Sequence, residues 1–236
     1  MKHLKISLLL FFLCLLATAF FRKAENRTAA AYAVAGPGML SLVQQTREKG
    51  REYPRVALTF DDGPHSTYTP MLLDGLRTRN IHATFFLIGK NIKGNEDILL
   101  QMQKDGHLIG NHTYNHVQLD KISIETACQE IQKTNNEIYQ VTGLYPSFVR
   151  PPFGAWRKDM ELCVTMFPVF WDIDTLDWKS KNADSVLEIV QNQVYDGSII
   201  LMHDGYQSSV DAALRIVDLL TEKGYEFVTV DQLVVL

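Results

Sequence analysis

Residues 56–64 read Val56-Ala57-Leu58-Thr59-Phe60-Asp61-Asp62-Gly63-Pro64. The apolar, β-prone run makes a buried strand, and Gly-Pro ends it in a turn. Asp61 and Asp62 therefore stand at the strand's C-terminal end. In an extended backbone their side chains face opposite ways. Two like charges so close are costly unless something positive compensates them. A metal ion would suit one carboxylate and leave the other free for proton transfer.

Further along, Asn111-His112-Thr113-Tyr114-Asn115-His116 supplies two imidazoles four residues apart. On a helical turn that spacing puts both rings on one face, able to share an ion. With one carboxylate they would make a His₂Asp site that keeps open coordination positions, as a reacting centre requires. Three more chemical blocks follow short apolar runs. They are Arg150-Pro151-Pro152-Phe153-Gly154, Asp174-Thr175-Leu176-Asp177-Trp178 and Leu201-Met202-His203-Asp204.

Strand-like runs alternate with helical patterns along the chain. Val56–Phe60 leads to a helix around Pro70–Arg79, and Ala83–Ile88 to Glu96–Lys104. Leu108–Asn111 leads through the histidine block to a helix from Ile124 to Val141, with Ser123 as N-cap and Gly143 as C-cap. Phe148–Arg150 precedes a helix around Trp156–Met166, and Val169–Asp172 precedes Asp184–Gln193. Ser198–Met202 precedes Val210–Lys223, and Phe227–Val230 closes the series. The alternation implies parallel strands with crossover helices. About seven units suggest a barrel, with an open doubly wound sheet as the alternative. Every chemical block falls at or just past the C-terminal end of a strand, where barrel active sites lie.

Five such blocks in this order resemble the polysaccharide deacetylases with a NodB-type domain, carbohydrate esterase family 4. Within that family the chain is similar to bacterial peptidoglycan N-acetylglucosamine deacetylases. The resemblance spans about Tyr53 to Leu236 and implies an α/β fold, a distorted (β/α)₇ barrel. It also implies a hydrolase that removes N-acetyl groups from peptidoglycan or a related acetylated polysaccharide. Asp62, His112 and His116 would hold a divalent metal, Zn²⁺ first, with Co²⁺, Mn²⁺, Ni²⁺ or Fe²⁺ as alternatives. Asp61 would be the general base and His203 the general acid. Arg150 resembles the arginine that holds the base carboxylate. Asp177 resembles the aspartate that bonds the acid histidine, with Asp174 as the alternative. Trp178 and Leu201 match positions that wall the acetyl pocket, a role compatible with ordinary packing. The backbone N–H of Phe153 would help stabilise the oxyanion, although the family more often has Tyr there. A phenol contact is lost with Phe, which bears on substrate preference.

Two other functions remain open at this point. A His₂-carboxylate set also serves non-haem iron oxygenases, although Asp61, Arg150 and His203 make more sense for hydrolysis. An inactive carbohydrate-binding wall domain would have lost one or more chemical residues, and none is lost. Thr113 would contact a ligand or bond local backbone. His65, His82 and His107 read as structural or surface residues, and Tyr114 and Trp171 as packing residues.

Length and composition allow one domain with a sizeable core, since 46% of the chain is apolar, and the resemblance makes residues 53–236 its catalytic domain. A net charge of −4 gives no global basic character for nucleic acid. The chain lacks a Gly-rich phosphate fingerprint, and the expected state is a monomer. Lys2 and Lys5 precede the apolar run Ile6 to Phe21. Residues 1–23 thus read as a signal peptide, cleaved after Ala17-Thr18-Ala19, or as an uncleaved membrane anchor. Either sends the domain across the membrane, to act outside the cytoplasm. Residues 24–52 read as a linker. Asn26-Arg27-Thr28 matches a glycosylation acceptor by chance. Three cysteines are too few for a disulfide framework. Cys14 is in the N-terminal run, while Cys128 and Cys163 read as buried thiols that would pair only if geometry permits.

Overall fold

The computed structural model describes residues 53–157, 159–160 and 165–233. The leader and linker expectations, Cys14 and Cys163 lie outside the described residues. Among those described, no helix is long and apolar enough to cross a membrane.

Eight parallel strands form one curled sheet. They are β1 (Arg55–Asp61), β2 (Thr84–Leu87), β3 (Leu108–Asn111), β4 (Phe148–Val149), β5 (Phe167–Pro168), β6 (Ile173–Asp174), β7 (Ser198–His203) and β8 (Glu226–Phe227). The spatial order is β5-β4-β3-β2-β1-β7-β6, and β8 pairs with the first residues of β1. The helices are α1 (Tyr68–Thr78), α2 (Glu96–Lys104), α3 (Ile124–Thr142), α4 (Asp177–Ser180), α5 (Ala183–Gln193), α6 (Gln207–Glu222) and α7 (Val230–Leu233).

The pleat of β1 decides what faces where. Val56, Leu58 and Phe60 enter the large cluster shared with α1, α2, α5 and α6, including Leu72, Leu76, Leu99, Val186, Ile216 and Leu220. Ala57 belongs to a smaller inner cluster with Phe86, Phe148, Val169 and Val230. Thr59 and Asp61 share the parity of Ala57, so they point to the inner side. Alternation thus delivers Asp61 to the top of the curled sheet with its neighbours already buried.

Register aligns the strand ends. Asp61 is opposite Phe86 on β2 and His203 on β7, Leu87 opposite Asn111, and Asn111 opposite Val149. Chemical groups far apart in sequence therefore share one rim. This is the distorted barrel that the family resemblance implied, in the form of a curled parallel sheet. Its two edge strands, β5 and β6, are consecutive in the chain, and no ladder joins them among the described residues. The short segment 169–172 crosses that seam instead. The Val169 N–H bonds the Val149 carbonyl, and the Asp172 N–H bonds the Ile199 carbonyl.

The expected caps of α3 are present. Ser123 Oγ accepts from the Thr126 N–H at 3.2 Å, and Gly143 has φ 72°. The helix expected around Trp156–Met166 does not start at Trp156; Ala155–Arg157 is irregular, and 161–164 fall outside the described residues. The strand expected at Val169–Asp172 does not form: those residues are the seam crossing, and the pairing falls just outside them, in β5 and β6 on opposite edges. Cys128 is not a free thiol: it is disulfide-bonded, with its partner outside the described residues.

Candidate active site

Asp61 ends β1, and its side chain is buried. Asp62 does not continue the extended backbone. Its φ of 72° turns the chain, so the carboxylates do not face opposite ways as expected. Both approach one imidazole instead: His112 Nε2 is 3.7 Å from Asp61 Oδ2 and 3.5 Å from Asp62 Oδ1. The Asp62 carbonyl is held by Asn91 Nδ2 at 2.9 Å.

The histidine block is also not the helical turn expected from its spacing. It is a loop with positive φ at Thr113 (63°) and His116 (59°). The rings still meet, with centroids 5.0 Å apart, and His116 Nε2 is 3.3 Å from Asp62 Oδ1. His112 Nδ1 lies 2.6 Å from the Arg150 carbonyl, which can only accept. That bond places the proton on Nδ1 and, in the neutral ring, leaves the Nε2 lone pair facing the carboxylates. Burial pushes the His116 imidazole down, His112 adds to this, and Asp62 and Asp61 oppose it. A lowered value favours the neutral, ligating form.

Asp62, His112 and His116 each offer one ligand atom, all within 4.8 Å of one another. Asp62 Oδ1 is buried without a hydrogen-bond partner. A buried acceptor left unpaired is costly, and a divalent cation at this convergence would satisfy it. The donor set fits a metal.

Arg150 is fully buried. Its Nη1 donates to Asp61 Oδ1 at 2.9 Å and to Thr59 Oγ1 at 2.6 Å. Its Nη2 and Nε donate to the carbonyls of Phe170 and Val169 at 3.0 and 3.4 Å. It therefore ties the seam segment to the end of β1. Its guanidinium also lies 4.3 Å from the Phe86 ring centre.

On the other side, His203 Nδ1 is 2.8 Å from Asp177 Oδ1. Asp177 Oδ2 accepts from the His203 N–H at 2.9 Å and from Ser209 Oγ at 2.7 Å. Burial works against charge on His203, but the Asp177 bond and the charges of Asp177, Asp61 and Asp62 push it up to about 9. Asp174 instead accepts from the Leu176 N–H at 2.9 Å, a local turn. Of the two aspartates left open by sequence, Asp177 is the one that holds His203.

An open cleft of about 280 Å³ is lined by Asp62, Pro64, His65, Asn91, Trp178, His203, Gly205 and Tyr206. Trp178 is thus brought to the cleft. Leu201 is buried and is not among these lining residues. Phe153 has φ 61°, is 67% exposed, and packs edge-on against His116 at 4.8 Å. Thr113 is buried and bonds local backbone through the Val117 N–H at 3.3 Å.

His65 lines the cleft, yet its Nδ1 also accepts from the Thr67 and Tyr68 N–H groups, which accounts for a structural histidine. His107 is buried, accepts from the Ala83 N–H at 3.1 Å, and burial lowers it to about 4. Sequence reasoning missed Asn91, Tyr206, Ser209 and Asp204. Asp204 directly follows His203, and burial pushes its carboxyl up to about 7 against a bond from Thr69. The Leu201-Met202-His203-Asp204 block carried that residue without revealing its depth.

Similarity to known proteins bears on these residues. The chain is 40% identical over 178 residues to the peptidoglycan-N-acetylmuramic acid deacetylase PdaC of Bacillus subtilis, covering 75% of this chain and 38% of that protein. It is 38% identical over 185 residues to the peptidoglycan-N-acetylglucosamine deacetylase PgdA of Listeria monocytogenes, covering 78% and 40% respectively. It thus spans about two fifths of the length of these curated relatives. The solved structure of the Bacillus subtilis PdaC deacetylase superposes with a TM-score of 0.75 at 39% identity, covering 77% of this chain and 90% of that one. Residues 48–166 match the sequence family described as polysaccharide deacetylase, and that stretch carries the Asp61-Asp62 turn, the histidine loop and Arg150. This chain belongs to the polysaccharide deacetylase family.

Proposed function

We propose that this protein is a metal-dependent hydrolase that removes N-acetyl groups from peptidoglycan, with N-acetylglucosamine as its sugar. The observation that carries the reading is the pairing of opposite couples across one site. Arg150 holds Asp61 on one side, and Asp177 holds His203 on the other. Asp62, His112 and His116 converge close by.

A divalent ion held by those three residues, Zn²⁺ first, would polarise the amide carbonyl and make water more acidic. The other residues supply position and protons. Arg150 engages Asp61 Oδ1, which leaves Oδ2 to take the proton of the attacking water. Asp177 engages His203 Nδ1, which leaves Nε2 to protonate the departing amine. A buried imidazolium beside a carboxylate suits an acid at neutral pH. The Phe153 backbone N–H would contribute to oxyanion stabilisation. Trp178 and Leu201 would wall the acetyl group.

The relatives named above act on two different sugars of the same polymer, N-acetylglucosamine and N-acetylmuramic acid. The polymer is therefore better supported than the sugar. An extracytoplasmic setting is supported by the proposed substrate, by the basic and apolar N-terminal sequence, and by a disulfide at Cys128, which suits an oxidising compartment. Residues 1–23 would deliver the domain as a leader or hold it at the membrane, and 24–52 would be its tether.

The test is acetate release by the Zn²⁺-loaded protein from peptidoglycan, chitin oligomers and acetylated xylan. Release from peptidoglycan is expected, leaving a free amine on glucosamine residues that stay within the polymer. Glycan binding without acetate release from any of the three would establish an inactive binding domain instead. Iron-dependent oxygen uptake would turn the reading to an oxygenase.

A further inference from the structure

We propose that Glu130, on α3, is a positioning residue that sets metal affinity by clamping the loop that carries His116. The inference rests on reading Asp62, His112 and His116 as metal ligands.

The loop 112–116 leaves the sheet with left-handed residues at Thr113 and His116, so its backbone N–H groups have no regular ladder to join. Such groups need other acceptors where they are withdrawn from water, as the part-buried Tyr114 N–H is, while the exposed Asn115 is held for position. The His112 N–H bonds the Leu87 carbonyl at 2.9 Å, and the Thr113 N–H bonds Asn111 Oδ1 at 2.7 Å. The next two belong to Glu130. Its Oε2 accepts from the Tyr114 and Asn115 N–H groups at 3.0 and 2.7 Å, and its Oε1 accepts from Asn115 Nδ2 at 2.7 Å. Successive N–H groups closing on one carboxylate form an anion-holding concavity. The bonds are charge-assisted and therefore stronger than neutral ones.

The two histidines depend on this clamp unequally. His112 follows β3 directly and is fixed at its ring by the Arg150 carbonyl. The His116 ring meets His112, Phe153 and Asp62, but no hydrogen bond fixes it among the described residues. Its placement passes through the backbone, and Asn115, one residue before it, is held by Glu130 at two points. Loosening the clamp should free His116 and leave His112 in place. Outer partners that orient metal ligands typically change affinity by about 10- to 100-fold.

Zn²⁺ affinity is to be measured by chelator competition on the full chain, with thermal unfolding of the metal-free protein alongside. Glu130→Ala should weaken Zn²⁺ binding by about 10- to 100-fold. Glu130→Gln keeps an oxygen for the two backbone donors and loses charge, so its affinity should fall between those of Glu130→Ala and the wild type. Ser123→Ala, which removes the N-cap of the same helix and breaks none of the Glu130 bonds, should lower unfolding temperature without changing Zn²⁺ affinity. Wild-type affinity in both Glu130 variants overturns the proposal, as does an equal loss in Ser123→Ala, which would show only general destabilisation. If His112→Ala also leaves affinity unchanged, the ligand reading itself falls, and this inference with it.

Discussion

Arg150 Nη1 and Asp61 Oδ1 meet at 2.9 Å, 89 residues apart in sequence, with both side chains almost wholly withdrawn from water. Burial lowers the Arg150 pKa from its usual value, and the Asp61 charge opposes that. Such a pair is costly to form and more costly to half-dismantle, because one unpaired charge is left in a medium of low polarity. Its other three acceptors, Thr59, Val169 and Phe170, make Arg150 also the pin that holds the sheet's seam.

Arg150→Met should therefore lose about 3–5 kcal/mol of stability, the usual cost of removing one partner from a buried pair. Arg150→Lys should recover only part of it, since an ammonium cannot reproduce the planar fork. Adding Asp61→Asn to Arg150→Met should restore stability relative to Arg150→Met alone. Urea unfolding measures all three. If the double variant is no more stable than the single, the unpaired Asp61 charge is not the main cost.

His203 provides the pH dependence. Its pKa is raised to about 9 in the folded protein, against about 6.5 in an unfolded chain. Folding is therefore favoured by its protonation. That contribution is complete below about pH 6.5 and disappears as pH rises towards 9. An acid role makes turnover fall over the same alkaline range. Asp177→Asn removes the partner charge, so the alkaline limb should move to lower pH by roughly one unit or more. A pH–rate profile, with NMR titration of the His203 ring, tests this. A limb that stays in place while the ring titration moves would dissociate His203 from the alkaline limb.

Much of this site was legible in the sequence because strand ends are. An apolar run followed by Asp61-Asp62-Gly63-Pro64 announces a strand stopping at chemistry, and register does the rest. What escaped was backbone conformation between the blocks. The left-handed turn at Asp62 reversed the expected side-chain directions, and the loop at 112–116 replaced a helical turn while still joining the two rings. Spacing could not choose between Asp174 and Asp177, because α4 begins at Asp177 and only folding presents that residue to His203. Glu130 looked like any polar residue on an amphipathic helix. Its significance lies in donors 15 and 16 residues away that no local pattern reveals.

Gly63 has no room for a side chain. A Cβ there would lie 2.6 Å from Asp204 Oδ2 and 2.9 Å from Oδ1. Asp204 is buried and bonded by Thr69, so it has little freedom to retreat. Gly63→Ala should cost about 1–3 kcal/mol, the usual range for overpacking. In an Asp204→Ala background the same substitution should cost less, because its clash partner is gone. Thermal unfolding of the four proteins in this cycle decides it, and an unchanged cost would place the strain elsewhere.

The adjacent aspartates should separate cleanly by role. Asp62 Oδ1 sits 3.5 and 3.3 Å from the two histidine Nε2 atoms and has no hydrogen bond of its own. Asp62→Ala should therefore lose metal and turnover together. Asp61 is engaged by Arg150 through Oδ1, and Asp61→Asn keeps an oxygen for that donor. It should retain metal through Asp62, His112 and His116, measured by metal analysis after dialysis. Its amide cannot take a proton from water, so turnover at saturating metal should fall by about 10²- to 10⁴-fold, the range for removing a general base. His203→Ala should show the same combination, metal retained and turnover lost, if Nε2 of His203 is the proton source proposed for the opposite side. Near-normal turnover of Asp61→Asn at saturating metal would show that the base is not Asp61. Metal loss in Asp61→Asn would instead make Asp61 a fourth ligand, leaving the proton to be taken by another group.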